Sequence, residues 1–378
     1  MSLTLADARV VTPEGVHDGW LTIEDGRITH VGQGRAPRPG HSLGGRYVVP
    51  GFVDIHNHGG AGGSFPTGDQ DGARAAVELH RRHGTTTMVA SLVTATVPKL
   101  EAAASALADL CDDGLLAGLH FEGPYISAAR CGAHDPALLR EPSPREFEGL
   151  VKAGRGHVRM LTIASELPGA LDTIRAAREH GVIAALGHSD ATYEQTLDGI
   201  EAGATVATHL YNAMPPLGHR SPGPVAALLQ DERVTVELVN DGVHVHPAMV
   251  RLACSAAGPD RTVLITDAMA AAGAGDGAYV LGALEVTVSG GVARLTEGGS
   301  IAGSTLTMDA AFRRAVREVG LTLSEASVTA SLTPARVLGL ADTIGSIAAG
   351  KAADLVVLTD ELEVAGVMRR GAWVTEPA

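Results

Sequence analysis

The sequence predicts an α/β protein, a (β/α)8 barrel of the TIM type, with a small β-sandwich domain built from both ends of the chain. Two observations predict this fold. Short alternating strands occur at both ends of the chain, and apolar strands alternate with helix-like stretches between them. The middle segment repeats about every 30 residues, the length of one βα unit of a parallel barrel. We therefore expect the small domain at residues 1–50 and 345–378, and the barrel at residues 51–344.

Alternation around turn residues indicates the strands of the small domain. Residues 18–31 form two alternating runs around Asp25-Gly26, a strong hairpin signal. Residues 44–50 form a further short extended segment. Residues 353–358 form an apolar strand near the other end of the chain, and residues 364–374 form a second hairpin.

The segment between these ends predicts eight strands and intervening helices. The strands are expected to end at His56, near Ser91, at Glu122, near Glu166, at His188, at His209, near Asp241 and at Asp267. Helices are expected over residues 70–83, 98–111, 168–180, 192–202, 305–319 and 324–338. Four of these predicted helices are followed by a glycine. Gly84, Gly181 and Gly203 come directly after the helix, and Gly114 comes after a short turn. Glycine suits the left-handed position just after a helix.

Composition and charge exclude several classes of function. The net charge of −14 and the 3% of aromatic residues disfavour nucleic acid and anionic membranes as partners. A small anionic substrate stays compatible, because a few local cations override the overall charge. There is neither an apolar run of about 18 residues nor a basic segment followed by an apolar run at the start of the chain. Three widely spaced cysteines form no disulfide framework, so we expect a cytoplasmic protein.

The polar residues that follow the predicted strands are the candidate active site, since barrel enzymes place their sites at the carboxyl ends of the strands. They are His56 and His58, Glu122, His188, His209 and Asp267. The imidazoles of His56 and His58 point to the same side, because residues i and i+2 of a strand do so. Zinc takes histidine nitrogen and carboxylate oxygen, and iron or manganese accepts the same set. The pattern therefore predicts a metal site.

Structural roles are the alternatives at each of these positions. The histidines are either ligands or satisfied core residues, and Glu122 is either a ligand or half of a structural ion pair. Asp267 is either the base that takes a proton from a metal-activated water, or a ligand or orienting group.

Several motifs resemble the metal-dependent amidohydrolase superfamily. PGFVDIHNH at residues 50–58 resembles its opening motif, and GSIAAGKAADLVVL at residues 345–358 resembles its closing stretch. A narrower ordered set is similar to the branch that deacetylates phosphorylated amino sugars. That set comprises HFEGPY (120–125), GAH (132–134), GHS (187–189), THLYNAM (208–214), DGVH (241–244) and TDA (266–268).

The resemblance implies hydrolysis of the acetamide of N-acetyl-D-glucosamine 6-phosphate. The products are D-glucosamine 6-phosphate and acetate, in amino-sugar catabolism and cell-wall sugar recycling. It implies that Glu122, His188 and His209 bind a divalent metal. It also implies that Asp267 acts first as general base and then as general acid.

A second metal position is implied by the His-x-His pair. Some members carry Gln-x-Asn there and hold one metal, whereas this chain keeps His56 and His58. Glu122 would bridge the two positions. Zinc is the expected metal, with one or two ions per subunit, and iron, manganese, cobalt and cadmium are the alternatives.

The resemblance also implies a set of substrate contacts. They are Ala133, His134, Asn212, Ala213, Arg220, His244 and Ile301. His134 is placed on the sugar or its acetyl group, and Ile301 begins a loop, IAGS, that closes over the sugar. Asn212, Ala213, Arg220 and His244 surround the phosphate, with Arg220 supplied by the neighbouring subunit of a homodimer. The Arg220 guanidinium can form a two-pronged contact with phosphate, and the backbone N–H groups of Asn212 and Ala213 are further candidate donors.

Local alternatives are a surface cation at Arg220, a solvated loop residue at His134 and a loop thiol without catalytic role at Cys131.

Two other functions compete with this interpretation. Another amidohydrolase, such as a D-aminoacylase or a cyclic amidase, commonly uses a carboxylated lysine as bridging ligand. The three lysines here, Lys99, Lys152 and Lys351, do not follow apolar strands. A catalytically inactive binding protein would have lost a ligand or Asp267, and none is lost.

Overall fold

The computed structural model describes residues 2–377. The strands are β1 Ser2–Thr12, β2 Gly15–Glu24, β3 Arg27–Gln33, β4 His41–Ser42, β5 Tyr47–Pro50, β6 Phe52–Asp54, β7 Gly59–Gly60, β8 Gly63–Ser64, β9 Thr85–Val93, β10 Gly118–Glu122, β11 Val158–Ile163, β12 Ile183–Leu186, β13 Val206–Ala207, β14 Thr235–Val239, β15 Thr262–Ile265, β16 Gly277–Leu281, β17 Leu284–Ser289, β18 Val292–Leu295, β19 Leu355–Leu358, β20 Val364–Arg369 and β21 Ala372–Thr375. The α-helices are α1 Gln70–Arg82, α2 Val97–Asp112, α3 Pro144–Ala153, α4 Ala170–Glu179, α5 Tyr193–Ala202, α6 Gly223–Gln230, α7 Pro247–Ala257, α8 Met308–Arg314, α9 Leu323–Ser327 and α10 Thr333–Val337.

The chain divides into two compact units. One comprises the residues up to 54, residues 80–87 and the residues from 307 onward, and the other comprises residues 55–79 and 88–306. The predicted domain boundaries at residues 50 and 345 stay a prediction.

An eight-stranded sheet in the first unit joins both ends of the chain. Its order is β21-β20-β19-β5-β1-β2-β3, with β4 beside β1. The late strand β19 pairs antiparallel with the early strand β5, so that Leu355 lies opposite Pro50. Alternate residues of these strands, among them Leu5, Leu21 and Val357, are buried together in one core. The predicted β domain built from both chain ends is confirmed.

A second eight-stranded sheet is the predicted parallel barrel. Its order is β15-β14-β13-β12-β11-β10-β9-β6, so strands that follow one another in the chain are neighbours. Strand β10 is buried along its whole length, as expected for a parallel strand covered on both faces. A parallel bridge between Asn57 and Ala268 links the segments that follow the first and last barrel strands. The (β/α)8 barrel is therefore confirmed.

Helices α1, α2, α4 and α5 lie within two residues of the predicted bounds at almost every end. The two segments predicted at residues 305–319 and 324–338 are helical but interrupted. Each contains a π-helical turn, at Ala315–Val319 and Val328–Leu332. No helix of the described residues is long and apolar enough to cross a membrane.

Three helices and two small sheets were not predicted from the sequence. They are helices α3, α6 and α7, the two-stranded sheet β7-β8 and the three-stranded antiparallel sheet β16-β17-β18. The three-stranded sheet follows the last barrel strand. Its inward residues, Val286 and Val288, pack in one cluster with Met269 and Ala270 of the loop after β15.

The predicted glycine positions are confirmed by their backbone angles. The φ values are +90° at Gly84, +68° at Gly114, +68° at Gly181 and +127° at Gly203. Residues with a Cβ rarely adopt these angles.

We predict that Gly84→Ala destabilises the protein more than Gly181→Ala. Both substitutions strain a left-handed backbone, which costs about 1–2 kcal/mol. A Cβ at Gly84 would also lie 2.8 Å from Phe52 Cε2 and 2.9 Å from Val356 Cγ2, whereas a Cβ at Gly181 meets no atom within 4 Å. This overpacking adds about 1–3 kcal/mol. Urea unfolding midpoints of the two variants check the difference, and equal losses would contradict it.

Candidate metal centre and active site

Four barrel strands end two residues before the polar residue predicted to end them: β6 before His56, β12 before His188, β13 before His209 and β15 before Asp267. The last three of these residues have a left-handed backbone, with φ values of +48°, +27° and +49°. A left-handed residue turns the chain sharply out of the sheet, and it costs on the order of 1–3 kcal/mol where the residue is not glycine. This turn places each side chain at the mouth of the barrel.

Backbone hydrogen bonds hold these turns. The Asp267 N–H donates to the His56 carbonyl oxygen over 2.9 Å, and the Asp267 carbonyl oxygen accepts from Ser304 N–H over 2.7 Å. The His188 carbonyl oxygen accepts from Ser127 N–H over 2.9 Å. The strained conformations are thereby fixed by neighbouring segments of the barrel.

Glu122, His188 and His209 converge on one point. Glu122 Oε1 lies 3.1 Å from His188 Nε2 and 3.0 Å from His209 Nε2, and the two nitrogens are 2.9 Å apart. All three residues are buried. Two imidazole nitrogens and one carboxylate oxygen at such spacing form the donor set that a divalent transition metal prefers.

His56 and His58 form a second group beside the first. Their Nε2 atoms lie 3.1 Å apart. His58 Nε2 lies 3.2 Å from Glu122 Oε2, the oxygen that does not face His188 and His209. Glu122 is shared by both groups: Oε1 faces His188 and His209 and lies 3.5 Å from His56 Nε2, and Oε2 faces His58. A carboxylate shared in this way is expected of a bridging ligand.

The ring nitrogens that face away from the centre test whether these histidines suit a metal. In three of them the outward Nδ1 lies within hydrogen-bonding distance of an acceptor: Glu237 Oε2 for His56, the Ser91 carbonyl oxygen for His58 and the Arg130 carbonyl oxygen for His188. A proton on Nδ1 leaves Nε2 as the lone-pair donor. Nε2 points to the centre in all three, so the donor set fits a metal.

His134 has the opposite tautomer. Its Nδ1 accepts a hydrogen bond from the Thr94 N–H over 3.2 Å, and its Nε2 lies 3.5 Å from Glu122 Oε2. Burial lowers the pKa of His134 to about 4. The ring is therefore neutral at pH 7 and directs an Nε2–H donor into the site.

Asp267 lies opposite Glu122 across His58. Its Oδ1 is 3.1 Å from His58 Nε2. Burial by itself raises the pKa of Asp267, but the hydrogen bond with His58 and the nearby His56 outweigh it, so the pKa is lowered. A carboxylate that stays ionised at neutral pH can accept a proton.

The pKa values of Glu122 and His58 shift in opposite directions, so that one is anionic and the other cationic. Burial by itself raises the pKa of Glu122, but the field of His56 and the other surrounding imidazoles holds this pKa well below its usual range. Burial by itself lowers the pKa of His58, yet hydrogen bonds with Asp267 and Glu122 raise it to about 9. Without a metal ion the carboxylates are anionic and His58 is protonated, and a bound metal ion would replace that proton.

A cavity of about 370 Å³ opens above this centre. Most of the predicted site residues line it: His58, Glu122, Ala133, His134, His188, His209, Asn212, Ala213, His244, Asp267 and Ile301. His56 is fully buried, within 3.7 Å of Asp267. Arg220 is exposed on the loop before α6 and does not line the cavity. The Asn212 N–H donates to the His209 carbonyl oxygen over 3.0 Å, so the turn itself already uses it.

Sequence reasoning missed several residues of the cavity. Arg130, Leu281 and Ser300 line it and were not predicted, and Gly303 was expected only as part of the IAGS loop. The alternating stretch LEVTVS at residues 284–289, followed by Gly290-Gly291, was a signal for the sheet that carries Leu281. Arg130 lies beside the predicted motif GAH but has no signal of its own.

His244 forms an ion pair beside the cavity. Its Nδ1 lies 2.7 Å from Asp241 Oδ2, and Asp241 Oδ1 accepts the N–H groups of Val243 and His244. Burial lowers the pKa of His244, but the hydrogen bond with Asp241 outweighs it, and the pKa is raised. For Asp241, burial raises the pKa, but the bond with His244 outweighs it and lowers the pKa.

Known proteins place this site in a family. Residues 47–374 match the amidohydrolase family. The chain belongs to the amidohydrolase family. Together with the histidine–glutamate cluster, this membership indicates a divalent metal.

Three relatives narrow the comparison. An N-acetylgalactosamine-6-phosphate deacetylase from Escherichia coli O157:H7 is 39% identical over 98% of this chain and 99% of its own length. An N-acetylglucosamine-6-phosphate deacetylase from Bacillus subtilis is 34% identical over 100% of this chain and 98% of its own. A mutant N-acetyl-D-glucosamine-6-phosphate deacetylase from Mycobacterium smegmatis, solved in complex with N-acetyl-D-glucosamine-6-phosphate, is 49% identical. It covers 99% of this chain and 100% of its own, with a TM-score of 0.97.

We predict that the Asp241–His244 pair stabilises the fold most in mildly acidic solution. His244 has a raised folded pKa, so its contribution is complete below pH 6.5, its ordinary pKa, and is lost as the pH rises through the folded value. Asp241 has a lowered pKa, so its part is lost only as the pH falls below 3.8. Asp241→Asn keeps an oxygen for the two N–H groups but removes the charge. Its deficit in melting temperature should therefore shrink between pH 6 and pH 9. A constant deficit over that range would contradict the pairing.

Proposed function

We propose that this chain hydrolyses the acetamide of N-acetyl-D-glucosamine 6-phosphate to D-glucosamine 6-phosphate and acetate. The observation that carries the proposal is the meeting, in one cavity, of a three-ligand metal site, an ionised Asp267 and a neutral His134 Nε2–H donor. Metal-assisted hydrolysis of an amide uses these three functions. The similar proteins named above act on N-acetylated hexosamine 6-phosphates. Other amidases and inactive scaffolds are not favoured.

Zinc is the metal we propose, held by Glu122, His188 and His209. A second ion would be held by His56 and His58, with Glu122 as the bridge. When bound, such a metal supplies a Lewis acid for the carbonyl oxygen and lowers the pKa of water.

The reaction is then divided among the residues of this chain. Asp267 takes a proton from the attacking water. His134 donates its Nε2–H to the oxygen that becomes negatively charged as the carbonyl carbon turns tetrahedral. Asp267 next gives its proton to the amide nitrogen, because a free amide anion is too poor a leaving group. Acetate and the free amine result.

Phosphate recognition requires local cations in a chain with a net charge of −14. His244 lies in the cavity wall with a raised pKa, and Asn212 and Ala213 lie beside it. We propose that Arg220 of a neighbouring subunit completes the phosphate site in a homodimer. Widely spaced cysteines and the metabolic substrate favour the cytoplasm.

Acetate release tests the proposal. The substrates are N-acetylglucosamine 6-phosphate, N-acetylgalactosamine 6-phosphate and unphosphorylated N-acetylglucosamine, each with and without a chelator. We expect acetate release to be fastest from N-acetylglucosamine 6-phosphate and slow from the unphosphorylated sugar. The chelator should abolish release, and added zinc should restore it. Faster release from N-acetylgalactosamine 6-phosphate would change the proposed substrate to that sugar. Release that persists with the chelator would contradict the proposed role of the metal.

We predict that Asp267→Asn lowers kcat by about 10²–10⁴-fold, the usual range for a lost acid–base group. Asparagine keeps the shape but transfers no proton, so metal and substrate should still bind, and the acidic limb of the kcat/KM profile should move. Asp276→Asn, which changes an exposed carboxylate nearby in the chain, should leave kcat unchanged. Loss of metal from Asp267→Asn would instead make Asp267 a ligand first.

We predict that Arg220→Ala raises KM for the phosphorylated sugar far more than for the plain sugar, because the guanidinium contacts only the phosphate. Arg130→Ala is the comparison variant, since Arg130 lines the cavity within the same chain. A phosphate-specific loss in Arg130→Ala alone would assign the phosphate cation to Arg130 and contradict the contribution across subunits.

A further inference from the structure

Glu237 is a buried carboxylate in the barrel interior that the proposed reaction does not use. It lies on β14 and is 0% exposed. Burying a charged group costs several kcal/mol unless partners compensate it. The partners of this side chain therefore indicate its role.

One oxygen of Glu237 meets both groups of ligands. Its Oε2 lies 3.2 Å from His56 Nδ1 and accepts the His209 N–H over 3.2 Å. The backbone carbonyl oxygen of Glu237 accepts the Leu210 N–H over 2.8 Å. Glu237 thus orients the ring of His56 from behind and holds the strained turn at His209 from two sides.

The other oxygen of Glu237 has no hydrogen-bond partner among the described residues. A buried acceptor without a partner costs about 1–3 kcal/mol. A glutamine or an apolar residue would fill this place at lower cost if only barrel stability were at stake. The negative charge at His56 is what distinguishes glutamate there.

A carboxylate behind a histidine makes that histidine a better metal ligand. It holds the proton on Nδ1, fixes the ring plane and increases the electron density at Nε2. Among the residues that the structure describes, the Nδ1 atoms of His58 and His188 face neutral carbonyl oxygens, whereas Nδ1 of His56 faces a carboxylate. Glu237 also adds a third negative charge, after Glu122 and Asp267, to a cluster that would hold two divalent cations.

We infer that Glu237 is a positioning residue that makes His56 competent to bind the second metal ion, in the position shared with His58 and Glu122. The inference rests on the two-metal form of the proposed function. Glu237 contacts neither substrate nor metal and acts through His56.

Zinc titration of the metal-free protein tests the inference, with competition against a chromophoric chelator. Wild type should bind two equivalents per chain. Glu237→Gln should bind the first with near-normal affinity and the second 10–100-fold more weakly, the usual effect of removing an outer partner of a ligand. Glu285→Gln, the same chemical change at an exposed site of β17, should match wild type. Unchanged affinity for both equivalents in Glu237→Gln would overturn the inference.

A double-substitution cycle shows whether Glu237 acts through His56. His56→Ala removes the ligand, so adding Glu237→Gln to it should weaken the second equivalent little further. Losses that add in full would overturn the inference. Glu237→Asp keeps the charge but withdraws the oxygen by one methylene, and it should weaken the second equivalent as well. A lower melting temperature with unchanged zinc affinities would show that Glu237 serves only the fold.

Acetate release by wild type separates this inference from the proposed function. Acetate release with a single bound zinc per chain would support the proposed deacetylase activity and overturn the role of Glu237. The opposite result is two bound zinc ions, a weakened second site in Glu237→Gln and no acetate release. It would overturn the proposed deacetylase activity and support the role of Glu237.

Discussion

The buried Glu122 carboxylate is the constraint on which the site depends. It lies at the end of β10, and the inward nitrogens of five histidines lie within 3.5 Å of its two oxygens. An isolated charge at this depth would be unstable, so the surrounding imidazoles are as necessary to Glu122 as it is to them. The left-handed turns at His188 and His209 place two of these rings, and the i, i+2 spacing of His56 and His58 places two more. The cavity opens directly above this arrangement and is lined by Glu122 and four of the five histidines.

The barrel and the ligand positions could be predicted because they follow from short-range patterns. A repeat of about 30 residues fixes the βα unit, and polar residues after apolar strands identify the mouth of the barrel. The exact strand ends could not be predicted, because the sequence does not show that the sheet ends at Ala207 and that His209 turns the chain away in a left-handed conformation. Helix α6 was missed because it is buried on every side and shows no helical period. Helix α3 did carry a signal, since Ser143 caps Glu146 N–H at its start.

Contacts between residues that are far apart in the sequence could not be predicted. Glu237 lies in an ordinary apolar strand, and no neighbouring residue in the sequence indicates its contact with His56, which lies 181 residues earlier. His134 could be placed near the substrate by its motif, but its tautomer depends on the Thr94 backbone. Arg130 enters the cavity only because its loop folds over His188, whose Nδ1 bonds to the Arg130 carbonyl oxygen. Long-range partners of this kind require the folded structure.

The cavity wall and the reaction centre belong to separable parts of the chain. The ligands and Asp267 follow barrel strands, whereas Leu281 belongs to the antiparallel sheet β16-β17-β18, which pairs only with itself, and Ser300 and Ile301 follow that sheet. This sheet is hydrogen-bonded separately from the barrel, so its turns can change in length without altering the barrel's strand pairing, provided that Val286 and Val288 still pack on Met269 and Ala270. A change in those turns would therefore reshape the cavity wall at Leu281, Ser300 and Ile301 while the residues that follow the barrel strands keep their places.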